Sequence, residues 1–288
     1  MPIEDWSEWP APAKLNLFLH VVGRRADGYH LLQTVFQLID LSDTVCLRVR
    51  ADAQVQCHAG APGVADDDDL AVRAARLLQA RAGSQRGADI ALVKRIPMGG
   101  GLGGGSSDAA AVLVGLNRLW RLGLARERLA EIGLELGADV PLFVLGRSAW
   151  AEGIGEVLQP IDLPPRWYTI IDTGIAVATG PIFQAPELTR NSPGTTIACF
   201  VAGEPTRNDL EPVVRARHEG VGRAMDWLGA RAPARLTGSG GCVYASFAGR
   251  EQALDVARAV PAPWRALVAQ GLQLSPLAER EAAWQRGG

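Results

Sequence analysis

Residues 97 to 107 read Pro97-Met98-Gly99-Gly100-Gly101-Leu102-Gly103-Gly104-Gly105-Ser106-Ser107, with six glycines among the seven residues from 99 to 105. Glycine reaches positive φ without steric cost and lets another group come close to the backbone. A loop of this kind that opens a helix aims unpaired N–H groups at the space before it, and phosphate is the natural occupant of that space. The loop does not end in Gly-Lys-Ser/Thr, so it is not a Walker A loop, and it lacks the setting of a dinucleotide fold. The plain alternative is a flexible linker, but linkers are seldom placed between an apolar strand and a capped helix. A second glycine cluster stands at Gly238-Ser239-Gly240-Gly241. Tyr29 and His30 follow the turn signal Ala26-Asp27-Gly28. Such a pair can stack on a base and bond its edge, or simply pack a turn onto the fold.

The elements that must position these residues are legible as periodicities. Alternation over 12–22 predicts a half-buried strand, with Ala13, Leu15, Leu17, Leu19 and Val21 on one face and Lys14, Asn16, Phe18 and His20 on the other. Further strands are expected at 44–49, 88–96, 168–172 and 242–247, and an extended stretch at 148–158. Helices are expected at 70–81, about 106–122, 126–136, 211–228 and 250–259. The acidic run 66–69 suits a helix N-terminus, where carboxylates offset the positive dipole end. Ser106, Ser107 and Asp108 are good residues for the cap and first turn of the helix after the loop. Asp139, between Gly137-Ala138 and Val140-Pro141, reads locally as another N-cap. By composition alone Lys14 is a solvated lysine, His20 a surface or packing residue, and Lys94 and Arg95 solvated strand-end charges. Residues 160–165, Pro-Ile-Asp-Leu-Pro-Pro, are the best linker.

The chain of 288 residues is 48% hydrophobic and carries a formal net charge of −2. That is ample for a buried core and suits two modest domains. No basic excess exists to neutralise a nucleic-acid backbone, which argues against that partner. Neither a secretory leader nor a membrane-spanning run is visible. Cys46, Cys57, Cys199 and Cys242 form no Cys-x-x-Cys pair, and reduced thiols in a cytoplasmic protein are the expectation.

The segment from Pro97 through Ala110 resembles the phosphate-binding motif of the kinase superfamily that includes galactokinase, homoserine kinase, mevalonate kinase and phosphomevalonate kinase. Pro12-Ala13-Lys14-Leu15-Asn16-Leu17 resembles its first motif, and Leu236-Thr237-Gly238-Ser239-Gly240-Gly241-Cys242-Val243 its third. Within it, three segments are most similar to the 4-diphosphocytidyl-2-C-methyl-D-erythritol kinases. They are Arg25-Ala26-Asp27-Gly28-Tyr29-His30, Gly137-Ala138-Asp139-Val140-Pro141-Leu142-Phe143 and Pro186-Glu187-Leu188-Thr189-Arg190-Asn191. The likeness runs from Trp9 to about Phe247.

The resemblance implies an α+β, two-domain small-molecule kinase fold with the active site in the cleft between domains. An ATP-binding domain would span 1–159 and a domain completing the substrate site 160–288. It implies ATP as phosphoryl donor, with residues 97–107 on its phosphates, and Mg²⁺, for which no ligand set is legible; Ser107 is a weak candidate and a capping residue first. Lys14 and Asp139 match the catalytic positions, as charge stabiliser and proton acceptor. Asn16, Tyr29, His30 and Phe183 match the acceptor site, with Tyr29 and Phe183 stacking on a cytosine. Phe183 lies in the loop-like run 179–183. The implied reaction phosphorylates the 2-hydroxyl of a cytidine-diphosphate sugar alcohol in the non-mevalonate route to isoprenoid precursors. A sister kinase acting on mevalonate or homoserine would share the glycine loop but would not need Tyr29, His30 and Phe183. A nucleotide-binding regulator without catalysis would not need Lys14 and Asp139, and an RNA-binding protein is disfavoured by the net charge.

Overall fold

The structure, a computed structural model, describes residues 6–287. β1 (Ser7–Arg24) and β2 (His30–Arg50) make a long antiparallel ribbon through the turn at 26–28. β3 (Val55–Ala59), α1 (Leu70–Ala82), β4 (Gly87–Val93), α2 (Gly104–Leu119), α3 (Arg126–Leu134) and α4 (Val140–Leu145) follow. Next come the hairpin β5 (Ala149–Glu152) and β6 (Val157–Pro160), then β7 (Trp167–Asp172), α5 (Thr179–Phe183), α6 (Ile197–Val201), α7 (Glu211–Arg217) and α8 (Glu219–Gly229). The chain closes with β8 (Ala234–Leu236), β9 (Cys242–Phe247), α9 (Arg250–Arg258), β10 (Arg265–Leu272) and α10 (Pro276–Gly287).

All ten strands belong to one mixed sheet with the path β3-β4-β2-β10-β7-β9-β8, β1 and β5 adding to β2. Among the strand pairs of the described residues, β3–β4 alone is parallel. The two halves of the path meet at β2–β10 through two residue pairs, Gly271 with Ile39 and Leu272 with Leu38. One core lies between α1, α2 and the sheet, around Trp9, Leu47, Leu78, Leu113 and Leu116. A second lies under α7 and α8, around Val21, Ile171, Leu210 and Val243. A third, with Leu15, Ile39, Leu102, Ile170 and Tyr244, bridges them beneath the glycine loop. α10 returns to the N-terminal strand, where Trp284 packs on Trp9 with ring centroids 5.7 Å apart.

Several elements depart from their sequence expectation for physical reasons. β1 is buried on both faces rather than half-buried, and Lys14 is 3% exposed. The polar face of the strand meets the glycine clusters instead of water. α2 starts at Gly104 and its N-cap is Gly103, so Ser106, Ser107 and Asp108 sit inside the first turns and do not cap. Of the acidic run, Asp69 is the residue that caps α1, accepting from Ala71 N at 2.9 Å. The stretch 211–228 is two helices, broken at His218 where φ is −133° and ψ 78°. Residues 161–165 are irregular, yet Ile161 and Leu163 are buried against Phe18 and Trp150, so the segment is tethered rather than free. The run 179–183, read as loop-like, is a five-residue helix.

Candidate active site

A cleft of about 600 Å³ opens between the glycine loop, the middle of β1 and β2, and α5. The backbone of the loop explains its chemistry. Gly99, Gly101 and Gly103 adopt φ of +67°, +76° and +75°. The carbonyls are drawn away by neighbouring elements. Val177 N donates to Gly99 O at 3.3 Å, Cys242 N to Gly100 O at 3.1 Å and Lys14 N to Leu102 O at 3.0 Å. Gly101 O accepts from Thr237 Oγ1 at 3.2 Å and from Lys14 Nζ at 2.9 Å. Among the described residues, no N–H from residues 99–105 donates to a group outside its own element. With the carbonyls tied back and the N–H groups left over at the start of α2, the loop is a concave donor surface for an anion. Glycine is compulsory for this packing at Gly101, where a Cβ would lie 2.1 Å from Thr237 O. The second glycine cluster therefore exists partly to receive the first.

Lys14 projects from β1 into the cleft. Its ammonium donates to Asn16 Oδ1 at 2.6 Å and to Gly101 O at 2.9 Å, and it stands 3.6 Å from Asp139 Oδ2. Burial pushes the Lys14 pKa below the ordinary lysine value, and the charge and hydrogen bond of Asp139 pull it back up. Asn16 is fixed in turn, because its Nδ2 donates to Thr34 Oγ1 at 3.0 Å, and that hydroxyl donates to Phe18 O. Asp139 occupies the N-cap position of α4 but makes no capping hydrogen bond, so its carboxylate is free to face Lys14 and the cleft. A buried cation, an adjacent carboxylate and a surface of amides within one cleft are the parts required to orient a hydroxyl, take its proton and hold phosphoryl charge.

Residues 97–106 lie on the cleft wall. Ser107 lies behind it, fully buried, with an Oγ that has no partner among the described residues. Asn16 and Phe183 line the cleft. Tyr29 is 61% exposed and does not, and neither does His30. His30 nonetheless stacks near Phe183, ring centroids 5.2 Å apart, at the rim. His20 is a packing residue against Phe18.

Lys94, read from the sequence as a solvated charge, is part of a buried cluster with Asp43 and Asp108, pairing with both carboxylates. Burial opposes its charge, but those two neighbours more than offset this and raise its pKa above that of an ordinary lysine. Asp43 also accepts from the N–H groups of Arg95 at 2.5 Å and Ile96 at 2.8 Å, which anchors the entry to the glycine loop. Asp108 has its pKa pushed up to about 7 by burial, with Lys94 working against the shift. Its Oδ1 has no partner among the described residues. No local signal marks this cluster, because its members come from β2, α2 and the segment after β4.

Comparison with known proteins follows the same outline. The family model "GHMP kinases N terminal domain" matches residues 69–147, and "GHMP kinases C terminal" matches residues 198–266. A relative from Thiobacillus denitrificans, "4-diphosphocytidyl-2-C-methyl-D-erythritol kinase", is 58% identical over 93% of this chain and 96% of its own. One of the same name from Halorhodospira halophila is 54% identical over 95% of this chain and 96% of its own. The crystal structure of a 4-(cytidine 5'-diphospho)-2C-methyl-D-erythritol kinase aligns with a TM-score of 0.79 at 34% identity, over 92% of this chain and 99% of that one. A homoserine kinase from Cytophaga hutchinsonii, at 17% identity and a TM-score of 0.70, shares the fold.

Proposed function

The chain belongs to the GHMP kinases and, within them, to the 4-diphosphocytidyl-2-C-methyl-D-erythritol kinases, and from that membership we propose how its own residues perform the reaction. The enzyme uses ATP to phosphorylate the 2-hydroxyl of 4-diphosphocytidyl-2-C-methyl-D-erythritol, a step of the non-mevalonate route to isoprenoid precursors. The observation that carries the residue assignment is the placement of Lys14 and Asp139, 3.6 Å apart, beside the amide surface of the glycine loop. The amides of residues 99–105 hold the phosphates of the donor. Asp139 accepts the proton of the acceptor hydroxyl as its oxygen attacks the γ-phosphorus. Lys14, aimed by Asn16 and Gly101, stabilises the charge that spreads over the transferring group. Tyr29, His30 and Phe183 hold the cytosine at the rim.

For Mg²⁺, Asp108 lines the cleft and its Oδ1, which has no partner among the described residues, fits a hard cation, whereas Ser107 Oγ lies behind the wall. Among the described residues, no three His, Cys, Asp or Glu side chains are grouped to hold a metal. A cation here would take its other ligands from phosphate and water. When bound it supplies positive charge to the phosphates. Residues 1–159 thus bring the donor site and both catalytic side chains, and residues 160–288 bring Phe183 and the glycine cluster that braces the loop. A small-molecule acceptor, rather than nucleic acid, suits a cleft of this size. Four free cysteines suit the reducing cytoplasm, and no described helix is long and apolar enough to cross a membrane.

The test is turnover of ATP with the cytidine diphosphate substrate, mevalonate and homoserine in parallel, with phosphorus NMR locating the new ester. Phosphate on the 2-oxygen of the first compound alone is the expected result. Equal use of mevalonate or homoserine overturns the acceptor assignment.

A further inference from the structure

His30 is held by a residue that the reaction itself does not call for. Arg190 Nε donates to His30 Nε2 at 3.0 Å. The rest of the guanidinium is spent on backbone carbonyls, Nη1 on Leu188 at 3.0 Å and Nη2 on Phe183 at 3.1 Å and Ala185 at 2.6 Å. Among the described residues Arg190 has no carboxylate partner. One half-buried side chain therefore fixes both the imidazole of His30 and the backbone that carries the Phe183 ring.

The bond has a chemical consequence. An arginine guanidinium has only donors and does not lose its charge in proteins. Its N–H can meet Nε2 only if that nitrogen keeps its lone pair. The ring must then be neutral, with its proton on Nδ1. Partial burial and the charges of Arg190 and Arg24 all press His30 towards the neutral form. Nδ1 meets no acceptor among the described residues, so its N–H is a donor kept for a ligand.

We propose that Arg190 is a specificity-determining positioning residue, which locks His30 as the Nδ1–H tautomer and so presents a fixed donor to the pyrimidine. This rests on the reading that the acceptor carries a cytidine. A ring nitrogen with a lone pair, such as N3 of cytosine, accepts from that donor. Uracil carries a proton on the same nitrogen and sets N–H against N–H. Arg190 acts through His30 and touches neither the phosphates nor the reacting hydroxyl.

The test combines spectroscopy with base selectivity. In protein labelled with ¹⁵N-histidine, the His30 signals are identified by their loss in His30→Gln. At pH 8 the wild type should show a protonated Nδ1 and an unprotonated Nε2. In Arg190→Met the pattern should shift towards Nε2–H. The ratio of kcat/KM for the cytidine substrate over its uridine analogue should fall about tenfold, the weight of one net hydrogen bond. KM for the acceptor should rise and KM for ATP should not. Arg190→Lys, which keeps a charged donor, should recover part of the selectivity. If Arg190→Met does not fold, the wild-type spectrum and the lysine variant still decide. A wild-type Nε2–H tautomer overturns the proposal, and so does undiminished selectivity in a variant whose tautomer has changed. A wild-type enzyme that ignores the cytidine substrate refutes the acceptor reading instead and leaves the tautomer readable.

Discussion

The carbonyl oxygen of Thr237 occupies the place that a side chain on Gly101 would need, 2.1 Å from the ideal Cβ position. The clash is with backbone and cannot be relieved by a rotamer. Gly101→Ala should therefore destabilise the protein or abolish ATP binding. At Gly103 a Cβ would meet Phe143 at 2.9 Å and the Lys14 stem at 3.2 Å, at positive φ. Gly104 has ordinary helical φ and its nearest neighbour is an Ile96 methyl at 3.2 Å, so Gly104→Ala should be the mildest of the three. Thermal melts and KM for ATP across the three alanine variants check the order, and an equal loss at all three positions counts against the packing.

Asp139→Asn keeps the shape of the side chain and removes the base. Its kcat should fall by about 10²-fold or more while ATP binding survives. Lys14→Ala should also lower kcat, through lost charge stabilisation. Single-turnover rates with direct nucleotide titration separate the two effects, and wild-type turnover in both variants would refute the assignment.

Lys14 must be charged to act, and burial lowers its pKa. In kcat/KM, which reports the free enzyme, activity should fall on the alkaline side at a pH below 10.5, the ordinary value. In kcat the limb should move up, because bound phosphates favour the ammonium. The linkage has a matching sign. Over the window between the lowered folded pKa and the ordinary one, the unfolded chain binds more protons, so Lys14 makes stability rise with pH. Lys14→Met should remove that slope, which paired melts at pH 8 and pH 10 would reveal.

Asp108, with its pKa pushed to about 7, has the opposite sign. From its ordinary 3.8 up to about 7 the folded state holds the proton more tightly, so this group makes stability fall as pH rises. Asp108→Asn should gain on the wild type between pH 5 and pH 8. Lys94→Met, which strands two buried carboxylates, should cost about 3–5 kcal/mol. Urea unfolding of both variants at the two pH values is the measurement, and a pH-independent gap for Asp108→Asn would show the carboxyl to be ionised throughout.

Tyr29 is exposed and Phe183 half-buried at the rim. If they stack on the base, each alanine substitution should weaken acceptor binding by roughly 5- to 150-fold, the weight of about 1–3 kcal/mol per ring, and leave ATP alone. Tyr29→Ala should barely change the melting temperature. Loss of stability with unchanged acceptor KM would instead mark a turn-packing residue.

The parts of the site that share a short stretch of chain are legible in the sequence. The glycine loop, the strand leading into it and the helix leading out follow from local pattern, and β9 spans the expected 242–247. What escapes is whatever depends on distant partners. The alternation in β1 marks two faces but not that both are covered, because the cover comes from Thr237 and Gly101, far along the chain. Lys94 looks solvated until Asp43 and Asp108 arrive from β2 and α2. Arg190 stands in the segment 186–191 that carries the family likeness, but nothing local announces its task, since its partner His30 lies 160 residues earlier. Asp139 holds the N-cap position that its local pattern suggests, but its carboxylate makes no cap bond and stands beside Lys14, which arrives from β1.

The packing of α10 on β1 bears on how the protein is made. Arg280 donates to the carbonyl of Glu8 across 272 residues, and Trp284 covers Trp9. At the pace of a ribosome, about 5–20 residues per second, that separation is on the order of tens of seconds. During that interval Trp9, already packed on Leu47 and α2, has the side that faces α10 uncovered. β1 is thus completed only after α10 has been made, and until then one side of its tryptophan stays bare to water.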